Sequence, residues 1–291
     1  MIHTISIIGV GLLGASLGKA ILSRKTANEV LGADNNPANL NAALANNSIS
    51  RAVDWETAAK EADLIVLATP PGVMAEYIRA CAEKNIHKAL ITDLGSVKSA
   101  IVNEISQTPL KNSCRYLGSH PMAGKEVSGA INADENLFDN CVVALTPTDS
   151  ALQPDVDFLK NFWESLSCRV LILTARQHDQ IVSQTSHLPH LLSAALMRTL
   201  ILNDSRCMIL SATGLDSMTR LSGGNPDVWT DILLQNRDNI LAQTQLFRQT
   251  LDRFLHAIEL NDSAQLHQLL LESQARREFM LEFKSALRRQ D

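Results

Sequence analysis

The chain has 291 residues, enough for two domains, and 45% of them are hydrophobic, so ordinary cores can be buried. Only 4% of the residues are aromatic, and the net charge is −5. These values disfavour base-stacking nucleic-acid modules, and they disfavour binding to polyanions or to anionic membrane surfaces. We therefore expect no nucleic-acid partner and no membrane partner.

The five cysteines are scattered and form no Cys-x-x-Cys pair, a pattern typical of reduced thiols in a chain of this length. The apolar start of the chain lacks a basic leader and is punctuated by Gly9, Gly11 and Gly14, which favours a strand and a turn over a signal sequence. No uncharged run is long enough to span a bilayer. A cytoplasmic protein is expected.

Short apolar runs alternate with amphipathic stretches through roughly the first 170 residues. Strands are predicted at residues 4–8, 30–33, 63–68, 89–92, 115–117, 141–145 and 169–173. Helices are predicted between them at residues 13–23, 37–46, 73–83 and 97–107. This alternation is typical of a parallel sheet covered by helices on both faces.

The pattern becomes helical after Thr174, over residues 177–202, 227–257 and 263–289, and Pro189 is the only break inside the first of these stretches. The sequence thus predicts an α/β nucleotide-binding domain of the Rossmann type over residues 1–173. An all-helical domain follows over residues 174–291.

The last helical stretch carries six apolar residues on an otherwise polar helix: Leu266, Leu269, Leu270, Phe279, Leu281 and Phe283. They either pack within the chain or form the seam of a dimer. The dimer is favoured, because a long helix needs a partner for its apolar stripe. We therefore expect a homodimer formed through the C-terminal helical domain.

The first predicted strand runs into a GxGxxG turn made of Gly9, Gly11, Leu12, Leu13 and Gly14, with Val10 between the first two glycines. The first glycine permits the tight turn, the second lets the backbone approach a pyrophosphate, and the third lets the helix pack on the strand. The helix N-terminus then offers free N–H groups to an anion. These residues are predicted to bind a dinucleotide.

The second strand ends at Asp34, 20 positions after Gly14, where a carboxylate can accept a hydrogen bond from a ribose 2′-hydroxyl and would repel a 2′-phosphate. NAD is therefore expected rather than NADP. An Asx turn with the two following asparagines is an alternative role for Asp34, and it is compatible with binding. Thr69 and Pro70 follow another strand at the same sheet edge, where they either border the cofactor or only form the turn.

His120 lies among small residues in a predicted loop, residues 118–124, at the carboxyl edge of the sheet. A histidine there can exchange protons near neutral pH beside a bound cofactor. Ser96 opens a helix nearby, where it is either an N-cap or a neighbour of His120. Asp93 and Lys98 flank it and are expected to form a local ion pair.

His187 and His190 lie three residues apart on a predicted helix, a spacing that admits a metal site. The surrounding sequence has no HExxH motif and no nearby cysteine, so no metal is expected. Arg220 precedes a glycine-rich break, where it either clamps a carboxylate with two hydrogen bonds or is a solvated surface charge.

Taken together, these segments resemble the prephenate/arogenate dehydrogenase family of tyrosine biosynthesis. The matching pieces are GVGLLGASLG, DLGSVK, GSHPMAGKE, HD…SHLPH and TR…GGNPDVW, and they span residues 5 to 229 in family order. The resemblance implies a nucleotide-binding domain followed by a helical dimerisation domain. It also implies oxidative decarboxylation of prephenate to 4-hydroxyphenylpyruvate and carbon dioxide with NAD.

The resemblance further implies roles for individual residues. His120 matches the residue that takes the proton of the ring hydroxyl, and Ser96 matches the one that orients that hydroxyl and the nicotinamide. Arg220 matches an arginine that holds a substrate carboxylate, and His190 matches a substrate-contacting histidine. Three further positions match residues that line or support the substrate pocket: His187, Glu126 and Trp229.

Lys125 departs from the family pattern, which has a small polar residue after HPMAG. It could pair with Glu126 or reach the side-chain carboxylate of the substrate. Its positive charge would disfavour the ammonium group of arogenate, and His190 also suits prephenate users. Prephenate is therefore the expected substrate, and an arogenate or dual-specificity cyclohexadienyl dehydrogenase is the alternative.

Two other classes share parts of this pattern. A β-hydroxyacid or 6-phosphogluconate-type dehydrogenase has the same two-domain plan, but it uses a catalytic lysine on a second-domain helix where this chain has histidines. An NAD-sensing regulatory protein would bind NAD without turnover. That reading leaves the joint presence of Ser96, His120, His190 and Arg220 unexplained.

Overall fold

The computed structural model of the chain describes residues 2–84, 86, 89–107, 114–200 and 204–288. The chain forms two compact units, one ending at Ile240 and one beginning at Leu241. The domain boundary predicted at residues 173/174 is a different division of the chain and stays a prediction. Among the described residues, no helix is long and apolar enough to cross a membrane.

The first unit begins with a six-stranded parallel sheet in the order β3-β2-β1-β4-β5-β6. Its strands are β1 (Ile2–Ile8), β2 (Ala27–Ala33), β3 (Arg51–Ala52), β4 (Leu64–Leu67), β5 (Leu90–Asp93) and β6 (Arg115–Tyr116). Its helices are α1 (Leu12–Ser23), α2 (Pro37–Ala45), α3 (Trp55–Glu61), α4 (Pro71–Glu83) and α5 (Ser99–Gln107). The predicted Rossmann-type fold is confirmed. The sequence did not predict the two-residue β3, which is too short and too polar to give a strand pattern, or the seven-residue α3.

The central strands are buried because helices cover both faces of the sheet. All four residues of β4 are fully buried, and β1 is buried from Thr4 onward. Such continuous apolar strands are typical of parallel sheets with two covered faces. The packing brings the carboxyl ends of β1, β2, β4 and β5 to one edge, where the predicted cofactor residues lie.

A second sheet of three strands follows: β7 (Gly118–Pro121), β8 (Val142–Thr146) and β9 (Arg169–Ile172), with α6 (Gln153–Ser165) between the last two. β7 pairs antiparallel with β8, and His120 lies opposite Ala144. The predicted loop over residues 118–124 is therefore wrong at Gly118–Pro121, and the strands predicted at 141–145 and 169–173 belong to this second sheet. Glycine, histidine and proline have low strand propensity, so only the pairing with β8 makes this segment a strand.

The remainder of the described chain is helical. The elements are α7 (Ala175–Val182), a π-helical turn (Ser183–His187), α8 (Leu188–Thr199), α9 (Ser205–Ile209), α10 (Thr213–Thr219), a 3-10 turn (Arg220–Gly223), α11 (Pro226–Gln235), α12 (Arg237–Glu259) and α13 (Ser263–Arg288). Pro189 does not break a helix, because it lies in the first turn of α8, where no N–H is needed. The irregularity is the preceding π-helical turn. Part of the stretch predicted over 177–202, residues 201–202, lies outside the described residues.

The stretch predicted as one helix over 227–257 is two helices, because α11 ends at Gln235, with Asn236 as its C-cap, before α12 begins at Arg237. In the second unit, α13 leaves large apolar side chains exposed on the single chain. Phe279 is 69% exposed and Phe283 is 58% exposed, while Leu269 is buried. Exposed apolar side chains of this density mark an interaction surface.

Candidate active site

Two glycines in the turn after β1 are needed for the fold, because a Cβ at either position would clash with the protein's own backbone. Gly9 has a φ of +96°, and a Cβ there would lie 2.7 Å from the carbonyl carbon of Ala68. A Cβ on Gly14 would lie 2.1 Å from the carbonyl oxygen of Gly9. A Cβ on Gly11 would meet no atom within 4 Å. Gly11 thus leaves open space beside the backbone, where a ligand can approach.

A cavity of about 550 Å³ opens beside this turn. Five of the predicted cofactor residues line it: Gly9, Gly11, Asp34, Thr69 and Pro70. Leu12 and Leu13 lie instead in the first turn of α1, and Leu13 packs against the hydrophobic core. The sheet edge therefore brings together residues from the ends of β1, β2 and β4.

Asp34 ties the glycine turn to the end of β2. Its carboxylate accepts hydrogen bonds from the backbone N–H of Val10 at 2.7 Å and from the N–H of Asn36 at 2.7 Å. The second bond is the Asx turn considered from the sequence. The carboxylate nonetheless lines the cavity, so both roles of Asp34 are compatible.

The cavity suits a dinucleotide without a 2′-phosphate. Within the described lining, the charged side chains are Asp34 and Asp54, both acidic, and no lysine or arginine is present. The hydroxyl oxygen of Thr69 is buried and has no hydrogen-bond partner. A buried hydroxyl without a partner is costly unless a ligand satisfies it, so Thr69 offers a hydrogen bond to a bound dinucleotide.

His120 lies on β7 at the start of a buried chain of hydrogen bonds. Its Nδ1 is 2.8 Å from Nε2 of His178, and Nδ1 of His178 is 2.7 Å from Oδ1 of Asp179. All three side chains are buried, and the two imidazole rings meet edge to face. The chain runs from the second sheet into the first turns of α7.

Asp179 is held by the beginning of α5. Its carboxylate accepts the backbone N–H of Lys98 at 2.9 Å and that of Ser99 at 2.8 Å. Burial opposes ionisation, but the hydrogen bonds from His178, Lys98 and Ser99 outweigh it, so the pKa of Asp179 lies below its ordinary value. The group is therefore a carboxylate.

His120 is held in its neutral form. Burial lowers the pKa of His120 well below 6.5, and the nearby His178, Lys98 and His187 lower it further. A desolvated imidazole resists protonation from solvent, so it is neutral near pH 7 and has an unshared electron pair for the proton of a bound substrate.

A buried ion pair beneath this site connects the turn after β5 to β7. The Lys98 ammonium contacts the Asp93 carboxylate and donates to the carbonyl of Ser119 at 3.0 Å. The hydroxyl of Ser119 donates to the Asp93 carbonyl at 2.6 Å, and the Tyr116 hydroxyl donates to the Asp93 carboxylate at 2.7 Å. The ion pair expected from the sequence is present. The Asp93–Lys98 pair fixes the turn that carries Ser96 against Ser119, the residue before His120.

Ser96 itself does not begin a regular helix. The helix starts at Ser99, and Asp179 from another element accepts the first N–H groups instead. Ser96 is partly exposed in the turn, so its side chain is available at the sheet edge.

His187, at the end of the π-helical turn, is fully buried. Its Nδ1 is 3.0 Å from Nδ2 of Asn236, which also donates to the backbone carbonyl of Asp179 at 2.9 Å. Because the Asn236 amide donates, Nδ1 is the acceptor and the proton of neutral His187 is on Nε2. Burial lowers the pKa of His187 to about 4.

His190 stacks on Trp229, with ring centroids 3.5 Å apart and an angle of 9° between the planes. Gly224 makes this contact possible, since a Cβ there would lie 2.4 Å from Nε1 of Trp229 and 3.0 Å from Cε1 of His190. Asn225 caps α11 by accepting the N–H of Asp227 at 2.9 Å. The glycine-rich break therefore seats the aromatic stack.

Arg220 forms an ion pair with Glu126, which follows β7. Arg220 is 61% exposed, so its guanidinium also faces solvent. Lys125 pairs with Asp134 at 2.7 Å. The alternative pairing of Lys125 with Glu126 is therefore wrong, because Glu126 turns toward the arginine and the lysine toward the next loop.

The sequence did not assign a role to His178, Asp179 or Asn236, which form the buried hydrogen-bonded frame of the site. The signal was an adjacent His-Asp pair at the start of a helix, and its meaning depends on where that helix docks. Among the described residues, no group of three or more histidine, cysteine or acidic side chains is placed to hold a metal ion.

Comparison with known proteins matches two consecutive segments of the chain to one family. The family model for the prephenate dehydrogenase nucleotide-binding domain matches residues 17–172, and the model for the prephenate dehydrogenase dimerization domain matches residues 174–272. The chain belongs to the prephenate dehydrogenase family. Residues 17–172 therefore form a nucleotide-binding domain, and residues 174–272 belong to a family of dimerisation domains.

Individual relatives agree with this assignment. The chain is 33% identical to a prephenate dehydrogenase of Lactococcus lactis over 97% of this chain and 79% of the relative. It is 30% identical to a cyclohexadienyl dehydrogenase of Zymomonas mobilis over 94% of both chains. A solved prephenate dehydrogenase of Aquifex aeolicus, in complex with hydroxyphenyl propionate and NAD+, has a TM-score of 0.87 and 26% identity and covers 96% of this chain and 99% of its own.

Proposed function

We propose that this chain is an NAD-dependent prephenate dehydrogenase that converts prephenate to 4-hydroxyphenylpyruvate and carbon dioxide. The observation that carries the proposal is His120, a buried neutral histidine held by His178 within a chain of the prephenate dehydrogenase family. Its strand lies beside the turn carrying Ser96, next to the cofactor edge of the sheet.

In this mechanism, His120 takes the proton of the ring hydroxyl at C4 while the hydride leaves the same carbon. NAD, when bound, supplies the acceptor for that hydride. The resulting carbonyl draws electrons from the ring carboxylate bond, carbon dioxide leaves, and the ring becomes aromatic. His120 can then return its proton to the same oxygen, so the protein ends the cycle in its starting protonation state.

Two further groups are proposed to hold the substrate. Arg220 exchanges its partner Glu126 for a carboxylate of the substrate, and its partly exposed guanidinium is accessible for this exchange. His190, fixed on Trp229, forms one wall of the pocket. Ser96 orients the reacting hydroxyl, as the family resemblance implies.

NAD is proposed over NADP because of the charge of the cofactor cavity. Asp34 and Asp54 are the charged groups in its described lining, so a 2′-phosphate would meet carboxylates and no described cation. The Asp34 carboxylate can accept a hydrogen bond from a ribose hydroxyl instead.

Prephenate is proposed over arogenate because the Lactococcus lactis relative carries that activity in its name. The charge of Lys125 is already balanced by Asp134, so it gives less support than the sequence suggested. The second candidate is a cyclohexadienyl dehydrogenase that accepts both substrates, and the Zymomonas mobilis relative favours it.

We further propose that the protein is a homodimer formed through its C-terminal helices. The match to a dimerisation domain and the exposed apolar side chains of α12 and α13 support this assembly.

The decisive assay follows NADH absorbance with the purified protein, NAD or NADP, and prephenate or arogenate. We expect turnover with NAD and prephenate. NAD binding without turnover of either substrate would instead support a sensor protein, and a tenfold preference for arogenate would refute the substrate assignment.

Two variants divide the roles within the site. His120→Asn should lower kcat by about 100- to 10,000-fold with a much smaller change in KM, because positioned proton transfer is lost. Arg220→Gln should act mainly on KM, because it removes the carboxylate partner. The exposed Arg206 of α9, paired with Asp204 just before that helix, provides the control substitution Arg206→Gln. An unchanged kcat in His120→Asn would overturn the assignment of the base.

A further inference from the structure

The hydrogen-bonded chain behind His120 fixes which of its nitrogens carries the proton. Asp179 is a carboxylate with two backbone N–H donors already directed at it, so it can only accept. The contact of 2.7 Å with Nδ1 of His178 therefore requires a proton on that nitrogen.

The position of the proton on His178 determines the position of the proton on His120. With a single proton, on Nδ1, His178 has an unshared electron pair on Nε2, which is the atom 2.8 Å from Nδ1 of His120. A hydrogen bond at this distance then needs a proton on Nδ1 of His120. The remaining nitrogen of His120, Nε2, is left with a free electron pair.

We infer that His178 and Asp179 are positioning residues that hold His120 in the Nδ1-protonated tautomer, so that its Nε2 is the atom that accepts the proton of the substrate hydroxyl. This inference rests on the proposed function for its chemical purpose. The tautomer itself is a property of the free protein.

The same pair has a second effect once the proton has moved. His120 then carries protons on both nitrogens, and its Nδ1–H still points at His178, whose partner is the buried Asp179 carboxylate. The negative charge lies two hydrogen bonds away in a dry site, where it stabilises the imidazolium more than it could in water. The ground state remains neutral, so the stabilisation appears as the reaction proceeds.

The buried hydrogen-bond partners set a different tautomer for each histidine, as His187 shows. It accepts from Asn236 at Nδ1, so its own proton is on Nε2, the opposite tautomer from that inferred for His120. One frame of buried side chains therefore presents a proton acceptor on one histidine and a donor on the other.

The first test reads the tautomers directly. Two-bond proton–nitrogen NMR spectra of the ¹⁵N-histidine-labelled protein at pH 8, without substrate, distinguish protonated from unprotonated ring nitrogens. The spectrum of His120→Asn assigns the His120 signals. We expect the protons of His120 and His178 on Nδ1 and that of His187 on Nε2. A proton on Nε2 of His120 or His178 would overturn the inference, whatever the activity of the protein.

The second test uses two substitutions at one position. His178→Gln keeps an oxygen that can accept from Nδ1 of His120, whereas His178→Leu has a similar volume and no acceptor. We expect His178→Leu to lower kcat roughly 100-fold or more while KM for prephenate stays close to that of the wild type, as is typical when a general base loses its correct tautomer. His178→Gln should recover most of that loss.

Circular dichroism and NAD affinity, measured for both variants, separate loss of positioning from loss of fold. Equal kcat in His178→Leu and the wild type, or equal loss in both variants with intact fold, would contradict the role of His178. If the wild type turned over neither prephenate nor arogenate, the proposed function would fail, while the NMR result would still decide the tautomers.

Discussion

Burial lowers the pKa of three histidines at the candidate site. The pKa of His120, of His187 and of His190 is lowered in each case mainly because the ring is removed from water. A neutral imidazole is what a proton acceptor requires. The same burial makes the folded protein sensitive to acid, because these rings bind protons readily only when the chain unfolds.

His187 gives the clearest pH prediction. Its pKa is about 4 in the folded chain and about 6.5 in the unfolded one, so the unfolded state binds more protons between these values. Its contribution is fully present above about pH 6.5 and is lost as pH falls toward 4, by roughly 3 kcal/mol at most. Urea unfolding at pH 7.5 and 5 measures the difference.

His187→Gln should reduce that difference, whereas His256→Gln, at an exposed position on α12, should leave it as in the wild type. Full acid sensitivity in His187→Gln would show that the His187 ring is not a buried neutral group.

The aromatic stack offers a prediction with a neighbouring control. Gly224→Ala places a methyl group 2.4 Å from the Trp229 ring, so Trp229 and His190 must move apart. We expect a loss of about 1–3 kcal/mol of stability together with a higher KM for prephenate. Gly223→Ala meets no atom within 4 Å and should change neither. Similar behaviour of the two variants in urea unfolding and steady-state kinetics would contradict this explanation.

At the scale of elements, side chains from one helix provide hydrogen-bond partners for the backbone at the end of another. The first N–H groups of α5 are satisfied by Asp179 of α7, and the same carboxylate orients His178. The π-helical turn that follows α7 carries His187 to Asn236, just before α12. Such turns are frequent at functional sites, because they change the direction of side chains within a helix.

In the turn between β1 and α1, Gly14 is predicted to matter for stability and Gly11 for NAD binding. Gly14→Ala favours the helix by about 1 kcal/mol but brings a Cβ 2.1 Å from the Gly9 carbonyl, so the clash should win and destabilise the protein. Gly11→Ala should leave the melting temperature unchanged and weaken NAD binding roughly tenfold or more, equivalent to about 1.4 kcal/mol. Thermal unfolding and calorimetric titration with NAD measure the two effects.

If Gly11→Ala bound NAD as the wild type does, the open space beside that glycine would not be where the cofactor approaches. Gly11→Ala and Gly14→Ala are matched in size, so a difference between them reports position alone.

At the scale of the whole molecule, the apolar side chains of α13 call for a partner. Phe279 and Phe283 stack on each other at 6.4 Å on one face of this helix, and both are mostly exposed in the single chain. Covering such side chains is the main favourable term in the assembly of subunits.

The double substitution Phe279→Glu and Phe283→Glu should convert the proposed dimer to a monomer. The dimer would otherwise bury four carboxylates, two from each chain, in an apolar interface. Light scattering after size-exclusion chromatography gives the mass directly. Ser285→Glu adds a charge at an exposed position of the same helix and should leave the dimer intact. A double variant that remained dimeric would place the interface elsewhere.

The sequence by itself determined the α/β domain and the glycine turn with Asp34, and it predicted site roles for His120, Arg220 and Trp229. Those features depend on local patterns: apolar periodicity, glycine spacing and motif order. The tertiary structure alone decided that the His120 segment is a strand, that Lys125 pairs with Asp134, and that His178 and Asp179 stand behind His120. These features join residues up to 58 positions apart, and no local pattern encodes where α7 docks against α5 and β7.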